Sequence, residues 1–336
     1  LLPRLTATGA PIQSGRFGPW EHEFLGTLYR ESHLKTWYLV LATTFATLLL
    51  LIAGGTVHPS GSSLACPDWP TCFGTLVPEM KGAVFFEHGH RLIATVVGAM
   101  TWLMALCLWV TRRQDKVLGW LGVLAAVLVL IQGVLGGLTV IYRLPTAIST
   151  AHLGLALAFF GYLIFLCFRS RPIQPALAVA PGAAELARKA FMLGALAVYA
   201  QILLGAYLRH TGSGFACTEI PLCNGLLWPE LGWEQLHMSH RIAGIALALM
   251  LAGISVYVLK IASESRFVVA MCWLAPSLVA LQVVIGAWTV LSAIHWIPAS
   301  IHTGLAAMIL ATQLIGWFSL VSFGPTGVSG SQRSDF

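Results

Sequence analysis

Charge is scarce in this sequence. Only 10% of its 336 residues are Asp, Glu, Lys or Arg, where a soluble domain carries about a quarter. Together with 57% hydrophobic residues and a mean hydropathy of +0.80, that scarcity excludes an ordinary water-soluble globule. Acidic residues are the fewest, 13 against 19 basic ones, for a net charge of +6. The basic residues do not gather with aromatics into a compact patch, so nucleic acid is not expected as a partner. Residues 1–35 contain Arg4, Arg16, Arg30 and Lys35 but no apolar core, so no cleavable signal peptide is expected.

What the chain has in abundance is long apolar runs. Eight are long enough to cross a bilayer, which takes about 20 residues each. They fall near 36–57, 87–111, 117–141, 147–169, 188–209, 236–260, 267–291 and 298–320. Helices are expected, because lipid leaves open backbone groups without partners. Fourteen of the nineteen basic residues lie in the N-terminal segment, the even-numbered connections and the tail, including Arg112, Arg113, Lys116, Arg169, Arg171, Lys260 and Arg266. The positive-inside rule then places both termini in the cytoplasm of a multi-pass protein of the cell (plasma) membrane. The Pro/Ala-rich stretch around 170–187 divides the chain. The reading is a cytoplasmic segment (1–35), a four-helix bundle (36–169), a cytoplasmic linker (170–187), a second four-helix bundle (188–320) and a cytoplasmic tail (321–336). Four helices per half make the halves a parallel repeat within an all-α membrane fold.

The repeat is visible in the residues. His90 and His152 recur as His240 and His302, each pair 62 residues apart. Arg91 and Arg241 follow the first histidine of each pair, and Gln132 and Gln282 fall 42 residues after it. Two imidazoles at one depth on neighbouring helices suit the two faces of a haem, whereas tetrahedral zinc asks for more ligands. An isolated histidine near a helix end is more often a hydrogen-bonded interface residue, and His22, His33, His58, His210 and His295 are read that way. Four that recur at one spacing inside lipid are read as ligands of two haem irons, because ionisable groups there are costly and usually functional.

Arg91 and Arg241 are candidates for pairing with haem propionates, against the plainer role of reaching lipid phosphate. Gln132 and Gln282 either line the haem pockets or bond between helices, and Gly133, Gly136 and Gly137 either make room for a porphyrin or serve helix packing. Four cysteines lie in the loops after the first and fifth spans. They allow three pairings, and the repeated six-residue spacing favours Cys66–Cys72 and Cys217–Cys223. Either pair is a structural staple or, for the first, a redox-active one. Cys107, Cys167 and Cys272 read as buried thiols. The halves differ three residues before the first histidine, where Glu87 stands opposite His237 in the alignment. Glu87 shares a helical face with His90 and Arg91, and its presence in one half only marks it as the candidate catalytic carboxylate. His88 points away from that face and reads as incidental.

The segments Glu87-His-Gly-His-Arg91 and His237-Met-Ser-His-Arg241, with His152, His302 and the paired loop cysteines, resemble the haem A synthase family over roughly residues 36–320. The resemblance implies oxidation of the C8 methyl of haem O to the formyl group of haem A, by successive hydroxylation and loss of water, to supply terminal oxidases. It further implies substrate haem at His90 and His152, with Glu87 catalytic, and a haem b cofactor at His240 and His302. It gives Cys66 and Cys72 a part in reduction or haem transfer. Implied partners are the haem O synthase that supplies the substrate and an electron donor of unknown identity. Two other readings share the histidine pattern: a dihaem electron-transfer cytochrome, and a haem transport or delivery protein. The first would place haems near opposite membrane faces, and the second has no use for Glu87.

Overall fold

A computed structural model describes residues 19–111, 115–172 and 179–321, with side chains from residue 31 onward. Arg4, Arg16, Arg112 and Arg113, the tail from 322 and the side chains of His22 and Arg30 lie outside the described residues. Eight long helices follow one another: α1 (Pro19–Val57), α2 (Gly82–Thr111), α3 (Lys116–Ile141), α4 (Thr146–Arg169), α5 (Pro181–His210), α6 (Gly232–Ile261), α7 (Arg266–Leu291) and α8 (Trp296–Ser319). All eight contain spans long and apolar enough to cross a membrane. Large apolar side chains such as Phe45, Val96, Trp120 and Leu249 remain exposed along them, as lipid-facing positions would.

The main departures from the expected spans are at helix starts. Helix α1 begins at Pro19 and α5 at Pro181, so residues 181–187, read as linker, form the first turns of α5. Pro181 occupies the first turn of α5, where a missing N–H leaves no bond unmade. Helix α8 starts two residues before Pro298, with the His295 ring accepting from the Ile297 amide as its cap. Asp115 caps α3 through the Leu118 amide and is also paired with Arg169 of α4 at 2.6 Å, which fixes the ends of two neighbouring helices together.

The helices pack in two closed rings. In one, α1 and α3 each touch α2 and α4; in the other, α5 and α7 each touch α6 and α8. The rings meet where α1 and α4 pack on α8 and α4 packs on α5. Helices α5 and α8 approach closely because a side chain is missing at the crossing. A Cβ on Gly194 would collide with Gln313 Oε1, and one on Gly316 would lie 2.6 Å from the Phe191 ring. The apolar core follows the rings: Met104, Leu108, Leu118 and Leu163 pack in the first, and Phe191, Leu251, Val258 and Leu310 in the second.

At one end, residues 58–81 and 211–231 form two loops, and their backbones agree in detail. Each contains a cis X–Pro bond, at Trp69–Pro70 and Ile220–Pro221. Each has a non-glycine residue in the left-handed region followed by glycine: Phe73 and Gly74, Asn224 and Gly225. The tight turns after α3 and α7 match as well, with Arg143–Leu144 and Ala293–Ile294 all at positive φ.

Candidate functional site

Histidines 90 and 240 are the ninth residues of α2 and α6, while His152 and His302 are the seventh of α4 and α8. At 1.5 Å per residue all four lie roughly 9–12 Å along their helices from the loop end. Each ring is seated on a glycine of the preceding helix. A Cβ added to Gly54 of α1 would stand 3.0 Å from His90 Cε1, one on Gly136 of α3 2.9 Å from His152 Cε1, one on Gly205 of α5 2.8 Å from His240 Cε1, and one on Gly286 of α7 3.0 Å from His302 Cε1. No other residue type allows that approach without displacing the ring. All four rings are half-buried, and Nδ1 of both His90 and His302 is buried without a hydrogen-bond partner.

Glutamines hold three of these histidines from the side. Gln132 donates through Nε2 to the His152 carbonyl at 2.9 Å and approaches its Nδ1 at 3.1 Å. Gln201 does the same to His240, at 2.8 and 3.1 Å. Gln282 donates to the His302 carbonyl at 3.0 Å. Gln132 and Gln282 thus bond between helices, and each bond is made to the histidine itself. Gln201 escaped the sequence reading, although it stands four residues before its glycine, as Gln132 and Gln282 do.

The loops carry the disulfides Cys66–Cys72 and Cys217–Cys223, as the six-residue spacing favoured. Arg91 clamps the first loop, donating to the carbonyls of Asp68 and Thr71 at 2.8 Å each and reaching that of Cys66 at 3.5 Å. Arg241 clamps the second through the carbonyls of Cys217, Glu219 and Leu222 at 2.9, 2.7 and 3.1 Å. These are corresponding positions in the two loops, so the guanidinium groups nominated for propionates each hold a disulfide loop onto the helix beneath it.

Glu87 is buried and both its oxygens are engaged: Oε1 accepts from Arg91 Nη2 at 2.6 Å, and Oε2 from the Cys66 amide at 2.9 Å. The carboxylate thus joins the histidine-bearing helix to the disulfide. The second half uses a different acid for its tether. Glu234 of α6, also buried, accepts from the Asn224 amide group at 2.8 Å, while His237 takes the place of Glu87. Sequence comparison overlooked Glu234, because it falls outside the aligned motif. Asp68 closes its own turn, accepting from the Thr71 hydroxyl and from the Phe73 and Gly74 amides; the Thr71 bond, then those amides, hold its carboxyl below the usual range.

The remaining nominated residues fall as follows. His88 is buried, with Nε2 3.1 Å from the Leu76 carbonyl, and it lies against the Cys66–Cys72 disulfide. Gly137 makes room for the Trp69 ring of the first loop, 2.7 Å from where its Cβ would be, and Gly133 has open space beside it. His33 bonds the Thr111 carbonyl, and His58 meets His210 edge-on at 5.4 Å between the rings. Burial and the nearby charge of Arg209 hold the His58 imidazole down at about 4. Cys272 is buried, and Cys107 and Cys167 are partly so.

Comparison with known proteins agrees with the resemblance. Residues 36–314 match the family described as COX15-CtaA, cytochrome oxidase assembly protein. A protein named Heme A synthase from Shouchella clausii is 30% identical over 289 residues, covering 84% of this chain and 96% of that protein. One of the same name from Halalkalibacterium halodurans is 30% identical over 80% of this chain and 92% of its own length. Another, from Symbiobacterium thermophilum, is 32% identical over 79% and 89%. With most of its length inside the family match, and with relatives spanned nearly end to end, this chain belongs to the COX15-CtaA family.

Proposed function

We propose that this chain is a haem A synthase, a membrane oxidoreductase that converts the C8 methyl of haem O to the formyl group of haem A. The observation that carries the reading is the fourfold seat: four histidines at matched helix positions, each on a glycine, in a chain whose relatives bear that name. The overall change is balanced by two molecules of oxygen, four electrons and four protons per methyl, with three waters released. An outside electron donor is therefore required.

His90 and His152 are assigned to the substrate haem, and His240 and His302 to a haem b. The residues fit such a group. The four glycine seats leave the rings room beside the neighbouring helix. The unpartnered, buried Nδ1 atoms of His90 and His302 suit rings that bind iron through Nε2, and Gln132, Gln201 and Gln282 hold the backbone of His152, His240 and His302 through their carbonyls. A haem b at His240 and His302 would supply single-electron transfer. Glu87 is assigned the carboxylate that offsets positive charge developing at the reacting carbon, held in place by Arg91 at 2.6 Å and by the Cys66 amide at 2.9 Å. The closed helix rings and the matching loops support two parallel four-helix bundles, 36–169 and 188–320, joined through 170–187. The distribution of basic residues supports cytoplasmic termini in the plasma membrane, with the disulfide loops on the oxidising side.

The test is turnover. Purified protein given haem O, reductant and oxygen should yield hydroxylated and formylated haem by mass. Glu87→Gln, which keeps an acceptor for the Cys66 amide, should retain haem b and lose product. Unchanged haem O from a haem-loaded preparation would favour an electron-transfer or haem-delivery protein instead.

A further inference from the structure

The four histidine seats differ in the support they receive. On α3, α5 and α7 a glutamine stands four residues before the seating glycine: Gln132 and Gly136, Gln201 and Gly205, Gln282 and Gly286. One turn apart, the two residues share a face. The glycine receives the ring, and the glutamine holds the carbonyl of the same histidine at 2.8–3.0 Å. On α1 the residue four before Gly54 is Leu50. Leucine has no donor; the Nδ1 atoms of His90 and His302 are both buried without a partner, but His302 keeps the Gln282 bond to its carbonyl. His90 is thus the one histidine of the four with neither a ring nor a carbonyl bond from the helix that seats it.

We propose that His90 is the exchangeable histidine of the substrate site, released from iron far more readily than His152, His240 or His302, because Leu50 stands where the others meet a glutamine. The inference rests on the four histidines being haem ligands. Supporting contacts around a metal ligand are worth about 10–100-fold in metal affinity when removed; the glutamine bonds fix the helix turns that carry His152, His240 and His302, and Leu50 leaves the turn that carries His90 without one. The consequence answers a chemical need. An iron held by two histidines has no vacant position, and an oxidising site requires one. Exchange confined to His90 opens the substrate site on the side of α2 that bears Glu87, one turn away, and leaves the haem b site closed. Leu50 and the three glutamines are positioning residues in this account.

Carbon monoxide binds only ferrous haem with a free position, so its stoichiometry counts exchangeable ligands. Protein carrying both haems, reduced under carbon monoxide, should bind one equivalent. Leu50→Gln should weaken that binding about tenfold, and Gln201→Leu should raise uptake towards two equivalents by loosening His240. Uptake of none or two by the unsubstituted protein overturns the proposal, as does undiminished uptake by Leu50→Gln. If Leu50→Gln does not assemble, Gln201→Leu decides alone, and failure to gain a second equivalent counts against the proposal. Failure of the underlying reading is distinct: magnetic circular dichroism of the oxidised, unsubstituted protein would then show haem not ligated by histidine pairs.

Discussion

A single methyl group placed under His240 should loosen the haem b site. In Gly205→Ala the new carbon would start 2.8 Å from His240 Cε1, whereas carbon atoms rest comfortably at about 3.5–4.0 Å. The ring must therefore move by roughly 0.7 Å or more. It cannot do so freely, because Gln201, on the same face of α5, holds both the His240 carbonyl and its Nδ1. Overpacking of this kind costs about 1–3 kcal/mol, and about 1.4 kcal/mol is tenfold in affinity, so haem b should bind roughly 5–150-fold more weakly. The control is Gly253→Ala on α6, where an added Cβ meets nothing within 4 Å, and where replacing a helical glycine gains about 0.5–1 kcal/mol. Loss of haem to excess apomyoglobin, followed by absorbance, compares the two directly. If Gly205→Ala releases haem no faster than Gly253→Ala, the glycine seat is not a ligand seat.

Three further outcomes follow from the loops. Arg91→Ala should free the first loop and leave the Glu87 charge buried and unpaired, a loss of about 3–5 kcal/mol for a buried pair broken from one side; a melting curve in detergent unaltered from the parent protein would contradict the clamp. The double change Cys217→Ser, Cys223→Ser should lower unfolding stability by roughly 2 kcal/mol through loss of a short closed loop, while haem b remains bound; haem loss without a fall in stability would assign that disulfide to the haem site instead. His58, held near 4 in the folded protein against about 6.5 when unfolded, takes up its proton first in the unfolded chain. Its contribution is therefore complete above about pH 6.5 and lost as pH falls towards 4, so His58→Gln should show a shallower fall in melting temperature across that window, and an identical fall would refute it.

Much of the fold was legible because lipid imposes a simple rule. Apolar length marked eight helices, and most starts and stops agree within a few residues. The exceptions are informative. Helix α1 extends to Pro19 and α5 to Pro181 beyond the apolar spans, and hydropathy cannot register polar turns outside the membrane. The histidines were legible because each repeats at a fixed offset. Their seats were less so: a glycine among 33 carries no signal until a ring is seen against it. Gln201 does not recur in the first half, where the residue four before the seating glycine is Leu50, so only its four-residue spacing to Gly205 marks it. The contacts of Arg91, Arg241 and Glu87 depend on how two loops fold back over α2 and α6, which residue spacing alone does not specify.

The claim that most else depends on is that each half holds one haem between its two seated histidines. Near-infrared magnetic circular dichroism of the oxidised protein, combined with a haem count per chain, tests it most directly. Two haems, both with paired histidine ligation, are predicted, with His302→Ala removing one and leaving the other intact. A single haem, or loss of both on that one substitution, would contradict it.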